Sequence, residues 1–344
     1  MTDELARSDQ LPLSPEIEAT IYAARELADA SRSENTRASY RSGWDQFLRY
    51  CREQHPGRSP LPAHPALVAL FLTWLSQQGR TPATLRSRAA AVGYHHRRAG
   101  HPSPCDHQFV KDVLDGASRR DAGRDHGRAT VTREDLEALL LRLPEPTTPL
   151  EIRDRAIALL TFATSRRRSE IAALDLAHVT FRHQNDHDFL LVRIAKSKTD
   201  QHGVGATVAV PRLGEPLRRI CAVRALVAWL EAIHAYDDRV VVGEGPIFRA
   251  FSITSELQSH RIEPRAVAAA LKRLYTQAGY TKEHIRAIAA HSLRRGFITS
   301  ADAAGSTAAE IMSVTGHRDR RMLDRYTNHE KTKNPPLLRI FEPS

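Results

Sequence analysis

The chain has 344 residues, 41% of them hydrophobic, and carries 50 Lys and Arg against 40 Asp and Glu, a formal net charge of +10. That is room for two packed domains, and no apolar run approaches the length of a membrane span. Three widely spaced cysteines, Cys51, Cys105 and Cys221, with no CxxC, give neither a disulfide framework nor a zinc site and fit a reducing cytosol. The charge is unevenly placed: residues 1–30 are net −5, residues 31–130 net +8 and residues 131–344 net +7. The basic excess therefore lies in two globular regions, which suits a polyanionic partner, because each Lys or Arg near a phosphate releases condensed counterions. The acidic start, MTDELARSDQLPLSPE, has no apolar core and does not read as a signal peptide.

Residues 1–14 read as a polar, flexible start, with a short helix over 15–30. Tyr40, Trp44, Phe47, Leu48 and Cys51 then share one helical face, and His55-Pro56-Gly57 ends that helix. A second helix is predicted over 65–78, with Leu67, Leu70, Phe71, Trp74 and Leu75 inward and Gly79 closing it. Thr81-Pro82 reads as an N-cap followed by proline at the first helical position. It opens a basic helix over 83–98 that contains Arg86, Arg88, His95, Arg97 and Arg98. A fourth helix over 106–117 completes a small bundle. The charged, glycine-containing stretch 118–130 reads as a linker.

Thr132 with Glu134 and Asp135 opens a helix to about 143, and helices follow over 150–164 and 168–175. The period then changes: Phe189–Ile194 and Ala206–Val210 alternate like strands around the polar segment 196–205, with 179–183 a third strand. Beyond Pro216 the pattern is helical again, with Ala222, Leu226, Trp229, Leu230 and Ile233 on one face. No internal repeat is evident. The expected fold is mainly α: a helical bundle, a linker, and a larger, mainly helical domain with a small antiparallel β-sheet.

Four segments of the second region carry chemistry, and their order matters most. They are Thr164-Ser-Arg-Arg-Arg-Ser-Glu170 at a helix start, Lys196-Ser-Lys-Thr-Asp200 in a β-turn, His291-Ser-Leu-Arg294 followed by Arg295-Gly296, and Thr315-Gly-His317, with Tyr326 nine residues later. Breaking a phosphodiester without metal or water demands a nucleophile able to hold a phosphoryl group, which tyrosine is. It demands fixed cations on the nonbridging oxygens, for which arginine is suited. It also demands an acid for the leaving alcohol, a role open to lysine or histidine. His291 and Arg294, three apart on a helix, can both face one phosphate.

In this order (Arg, hairpin Lys, His-x-x-Arg, Gly-His, Tyr) the sequence resembles the tyrosine recombinases of the phage-integrase type. The resemblance covers about 131–330 and extends more weakly to 33–117, where Ser33, Thr36, Tyr40, Trp44 and Phe47 look like the family's core-binding domain. It implies a 1–30 N-terminal segment, a 31–117 core-binding domain, a 118–130 linker, a 131–334 catalytic domain and a 335–344 tail. It implies that Arg167, two before Ser169-Glu170, is the first catalytic arginine and that Lys198 is the general acid for the 5′-hydroxyl. Arg294 would clamp the phosphate, His291 would assist proton transfer at the tyrosine and His317 would hydrogen-bond the scissile phosphate. Tyr326 would form a 3′-phosphotyrosyl link. The basic helix with Arg86, Arg88, Arg97 and Arg98 would lie against DNA, and two domains would close as a clamp on the duplex. The implied partner is double-stranded DNA with specific recombination sites, bound by a homotetramer on two sites that exchanges strands through a Holliday junction; no ATP, divalent metal, other cofactor or membrane is called for. One departure is visible: the family commonly has glycine two before the first arginine, where this chain has Ser165, which fits if its backbone angles are ordinary.

Each residue also has a plainer reading. Arg166–Arg168 alone would be a solvated helix start, Lys198 an exposed turn lysine, His291 a cap or a satisfied core histidine, His317 simple packing and Tyr326 a surface tyrosine. Glu170 reads as structural. The basic helix face reads equally as solvated, and the apolar tail residues Leu337, Leu338, Ile340 and Phe341 pack either on their own domain or on a neighbouring protomer. What separates the readings is five matches in one order. Three other readings stand beside the recombinase one: a type IB topoisomerase, which relaxes DNA alone; a catalytically inactive, sequence-specific DNA-binding protein on the same fold; and a basic helical protein of unrelated function, against which the motif coincidence stands.

Overall fold

A computed structural model describes residues 32–122, 129–184, 186–195, 205–236, 244–317, 319–320 and 323, with Ile17, Thr20 and Ala23. The predicted helix over 15–30, Lys198, Tyr326 and the 335–344 tail lie outside the described residues or are described only at isolated positions. The chain divides into two compact units, Met1–Asp125 and His126–Ser344.

The first unit is helical. Helix α1 (Glu34–Gln54) is capped by Ser33, whose side chain accepts from the Thr36 amide, and buries Gly43, Phe47, Tyr50 and Cys51. Helix α2 (Pro65–Gln77) buries Leu67, Val68, Phe71, Leu72 and Leu75. Leu70, expected inward, is 49% exposed, because the stripe centred on Phe71 and Leu72 turns it to the opposite face. Helix α3 (Pro82–Arg98) has the expected Thr81 cap and proline at its first turn. It crosses α1 at Gly43, where a Cβ would stand 2.7 Å from that of Ala91, so the missing side chain is what lets the two helices meet. Buried His96 spans this core: its Nε2 accepts from the Ala63 amide at 2.9 Å, which leaves Nδ1–H to donate to the Val92 carbonyl. Helix α4 (Gln108–Asp121) runs four residues into the stretch 118–130 before the helical pattern stops.

In the second unit, α5 (Arg133–Leu141) begins at Thr132 with a capping box closed by Asp135. Helix α6 (Pro149–Thr164) is the central element, with ten of its residues buried from Arg153 through Thr164. A short α7 (Arg168–Ala172) follows. The strands β1 (Val179–Gln184), β2 (His187–Ile194) and β3 (Ala206–Pro211) form an antiparallel sheet in that order. Leu190, Val192 and Ile194 alternate inward along β2, opposite Val208 and Val210 of β3. Helix α8 (Ala222–Tyr236) buries Trp229, whose indole donates to the Ile247 carbonyl at 2.7 Å. A hairpin that the pattern did not predict, β4 (Arg249–Phe251) with β5 (Leu257–Arg261), precedes α9 (Pro264–Gln277) and α10 (Lys282–Ala287). Helices α11 (Ala290–Ala303) and α12 (Ala308–Thr315) complete the described part. Among the described residues no helix is long and apolar enough to cross a membrane.

The placement of α11 depends on one residue. The Val131 amide donates to the Ser292 carbonyl at 3.1 Å, and a Cβ at Gly296 would overlap the Val131 carbonyl. Nothing in a backbone carbonyl can rotate away, so α11 and the segment entering α5 approach only because position 296 lacks a side chain. Gly296→Ala is expected to destabilise this unit by about 3 kcal/mol. Urea unfolding checks this, and an unchanged midpoint would contradict the packing.

Candidate active site

The site is built from two chain reversals and one helix. The first reversal is the break between α6 and α7. Helix α6 ends at Thr164, whose hydroxyl donates back to the Leu160 carbonyl, and Ser165 follows in the left-handed region with φ 51° and ψ 30°. The expectation of ordinary angles at Ser165 is therefore not met. The chain needs here the conformation that glycine adopts without strain, and serine takes it at a cost of about 1 kcal/mol. The hydroxyl brings no compensation: Oγ is buried without a hydrogen-bond partner.

The turn distributes the three arginines to three environments. Arg166 goes inward and is 2% exposed. Arg168 points to solvent as the first residue of α7. Arg167 stands between them, its side chain 27% exposed, and is held by Glu170: the carboxylate accepts from the Arg167 amide at 3.0 Å and from Nη1 at 2.9 Å. Glu170 is buried, so its charge is used to fix one guanidinium rather than presented to solvent. Of the run, Arg167 alone combines a fixed guanidinium with access to a ligand. The plain reading of the run as a solvated helix start describes only Arg168.

Arg294, on the second turn of α11, is 1% exposed. Its Nη1 donates to the Ser165 carbonyl and its Nη2 contacts His317 Nε2 at 2.9 Å. The second reversal supplies that histidine. Helix α12 ends at Thr315, and Gly316 takes the left-handed cap at φ 68°. His317 follows, its Nδ1 2.8 Å from the Thr315 hydroxyl. A guanidinium only donates, so Nε2 must be the acceptor; the imidazole is neutral, with its proton on Nδ1 toward Thr315. Burial, then the positive charges of Arg294 and Arg167 and the neighbouring His291, push His317 down to about 4. Tautomer and titration agree. His291 sits one turn before Arg294 at the exposed start of α11, near enough to act on His317 electrostatically.

Arg167, Arg294 and His317 are thus brought together through the Ser165 turn, with His291 at the helix start beside them. Lys198 and Tyr326 lie outside the described residues. Among the described residues no group of His, Cys, Asp and Glu is arranged to hold a metal ion. What converges is a set of cationic and neutral donors with one buried carboxylate behind them, suited to a phosphate oxygen.

The family model described as the phage integrase family matches residues 129–333, the whole of this constellation. The chain belongs to the phage integrase family. An integrase/recombinase xerD homolog of Selenomonas ruminantium is 31% identical over 306 residues, covering 88% of this integrase-family chain and 84% of the relative. Recombinase cre of Escherichia phage P1 is 24% identical over 357 residues, covering 99% of each. Among solved structures, a lambda integrase dimer bound to a COC' core site matches with a TM-score of 0.59 at 15% identity, over 90% of this chain and 76% of that one. The Tn1549 transposon integrase in complex with transposon right end DNA matches with a TM-score of 0.56 at 14% identity, over 90% and 94%. At these identities the structural likeness is one of fold.

The basic residues of α3 do not form one face. Arg86 is exposed and donates to the Ser118 hydroxyl at 2.6 Å, toward α4. Arg88 is drawn onto α1, where Nε donates to Gln46 at 2.7 Å and the side chain packs over Gly43. Arg97 and Arg98 are exposed on the last turn, and Arg98 donates to the Tyr94 hydroxyl at 2.8 Å. Sequence reasoning missed the residues that join Arg98. Arg37 and Arg41 of α1, with Glu34, Tyr94 and His95, line a cleft of about 400 Å³ beside it, and the Arg32 guanidinium lies over the Tyr94 ring at 5.0 Å. The signal was the i, i+4 pair Arg37 and Arg41 on the exposed side of the first amphipathic helix.

Two predictions come from this geometry. Ser165→Gly is expected to raise stability by about 1 kcal/mol, since it relieves a left-handed serine and removes a buried, unbonded hydroxyl; a lower melting temperature would contradict it. For His317, the unfolded chain takes up a proton below its ordinary value of 6.5 while the folded site resists until about 4. Stability is therefore full above pH 6.5 and falls as pH drops through that window. In His317→Gln the fall between pH 6.5 and 4 should be shallower, as measured by denaturation across pH; parallel curves would contradict the assignment.

Proposed function

We propose that this chain is a site-specific DNA recombinase, a strand transferase that cuts and rejoins DNA through a phosphotyrosine. The observation that carries the reading is the placement of Arg294, buried and aimed between the Ser165 carbonyl and His317, with the Glu170-held Arg167 next to that turn. Membership of the family supports the reaction class. In this reading the two arginines bind the nonbridging oxygens of the scissile phosphate. A phosphate oxygen is a stronger acceptor than neutral imidazole and would take the Nη2 donor from His317, freeing that ring to turn a donor toward the same phosphate.

Tyr326 then attacks phosphorus. The bond to the 5′-oxygen breaks, and Lys198 supplies the proton that makes the 5′-hydroxyl, while His291 assists removal of the tyrosine proton. The 3′-phosphotyrosyl link keeps the bond energy, so a partner strand's 5′-hydroxyl reverses the step without ATP. Four protomers on two sites would exchange strands in pairs through a Holliday junction, with the 335–344 tail docked on a neighbouring protomer. The domain reading is retained: 31–117 as core-binding domain, 118–130 as linker and 131–334 as catalytic domain. Arg86, Arg97 and Arg98 remain DNA contacts in this proposal, joined by Arg37 and Arg41. Arg88 acts mainly by fixing α3 to α1. The cysteines Cys51, Cys105 and Cys221 are free thiols, in keeping with work in the cytoplasm.

A nicked suicide duplex carrying the chain's own site, incubated in EDTA, tests this. A covalent protein–DNA adduct is expected, lost in Tyr326→Phe. Arg167→Ala and Arg294→Ala should lower adduct formation by orders of magnitude while binding falls much less. Binding without any adduct would identify a DNA-binding protein instead, and relaxation of supercoils without a specific site would identify a topoisomerase.

A further inference from the structure

Arg166 has no part in the reaction outlined above, yet among the described residues it leaves more buried guanidinium nitrogens unpartnered than any other arginine. It is 2% exposed, and its Nε and Nη2 are buried with no hydrogen-bond partner. Its Nη1 lies 2.7 Å from the point a Cβ at Gly316 would occupy, so the guanidinium packs directly beneath the turn that presents His317. The charges that act on it are Glu170, attractive, and Arg167, repulsive. Glu170 is already committed to Arg167 by two hydrogen bonds.

Other buried arginines in the same unit are better provided for: Arg153 and Arg155 leave only Nε without a partner and place their terminal nitrogens on acceptors. Arg153 donates to Asp154 and to the Arg249 carbonyl, Arg155 to Glu145 and the Pro144 carbonyl, and Arg294 to the Ser165 carbonyl. A neutral side chain of similar length would fill the position of Arg166 without leaving donors idle, and would make the free protein more stable. The neighbours of this buried cation indicate what its charge can do. It follows Ser165, which accepts from Arg294, precedes Arg167 and underlies Gly316-His317.

We propose that Arg166 is a positioning residue of the phosphate pocket: it holds the Gly316-His317 turn from below and adds a fixed positive potential beneath the scissile phosphate. The cost of its burial is offset when a phosphodiester occupies the pocket. This rests on the recombinase reading, and the test separates the two. Arg166→Met keeps the length and removes the charge; Arg166→Lys keeps a charge. Three quantities are measured for each: the melting temperature of the free protein, the rise in melting temperature on adding the duplex site, and the rate of adduct formation on the suicide duplex.

The expected result is opposite signs in one variant. Arg166→Met melts higher than wild type when free, gains less on binding the duplex, and forms adduct at least tenfold more slowly, while Arg166→Lys recovers most of the rate. Loss of both stability and rate in the Met variant would mean a packing role only and overturn the proposal. An unchanged rate would overturn it as well. If the Met variant does not fold, Arg166→Lys decides: a rate near wild type upholds the role of the charge, and a tenfold loss with an intact melt rejects it. A wild-type protein that forms no adduct sinks the recombinase reading itself, and this inference with it.

Discussion

One hydrogen bond organises the site: Arg294 to the Ser165 carbonyl, joining residues 129 positions apart in the chain. It exists only because Ser165 turns left-handed and so directs its carbonyl at α11 rather than along the axis of α6. The same turn sets the directions of the three arginines that follow. Arg294 in turn reaches His317, so the end of α6, the second turn of α11 and the cap of α12 are held to one guanidinium. A loop of this kind would ordinarily be soft. Here its geometry is fixed by a charged donor in a water-poor interior, where such bonds are strongest.

The cost of that arrangement is concentrated charge. Arg166, Arg167 and Arg294 lie around one turn with Glu170 as the buried carboxylate on the Arg167 side. His317 answers by staying neutral: desolvation and the arginines remove its proton well below physiological pH. The positive charge around this turn therefore comes from arginine, and histidine adds none. Two guanidinium groups so placed match the geometry of an anion with two equivalent oxygens.

Much of this was legible in the sequence, for reasons that can be named. The caps at Thr81 and Thr132, the stripe from Trp44 through Phe47 to Cys51 and the alternation in β2 and β3 are local signals, and each produced its element. Arg167, Arg294 and His317 were found from motif order and do converge. The misses are non-local. Leu70 faces out because its neighbours on α2 fill the core better. The β4–β5 hairpin has too little alternation to be read from its residues; it is held across its strands by Arg249 donating to the Gln258 carbonyl and from outside by Arg153 donating to the Arg249 carbonyl. That Arg88 packs over Gly43 on α1 and donates to Gln46 also had no local signal. The left-handed turn at Ser165 was visible only as a missing glycine, and the burial of Arg166 had no local signal at all.

Two ionic clusters of the second unit show the same residue type under different constraints. On the far part of α6, Arg153 and Arg273 converge on Asp154, which Arg273 grips with Nε and Nη2 at 2.5 and 2.8 Å. Both oxygens of that carboxylate are used, and Arg153 carries a second bond to the Arg249 carbonyl. The network links α6, α9 and β4, with only Arg153 Nε left without a partner. At the other end of the same helix, Glu170 satisfies Arg167, Arg294 takes a neutral carbonyl and a neutral imidazole, and Arg166 keeps two donors idle. Helix α6 thus carries at one end two arginines gripped by a buried carboxylate, and leads at the other into a turn where Arg166 keeps two guanidinium nitrogens without a hydrogen-bond partner.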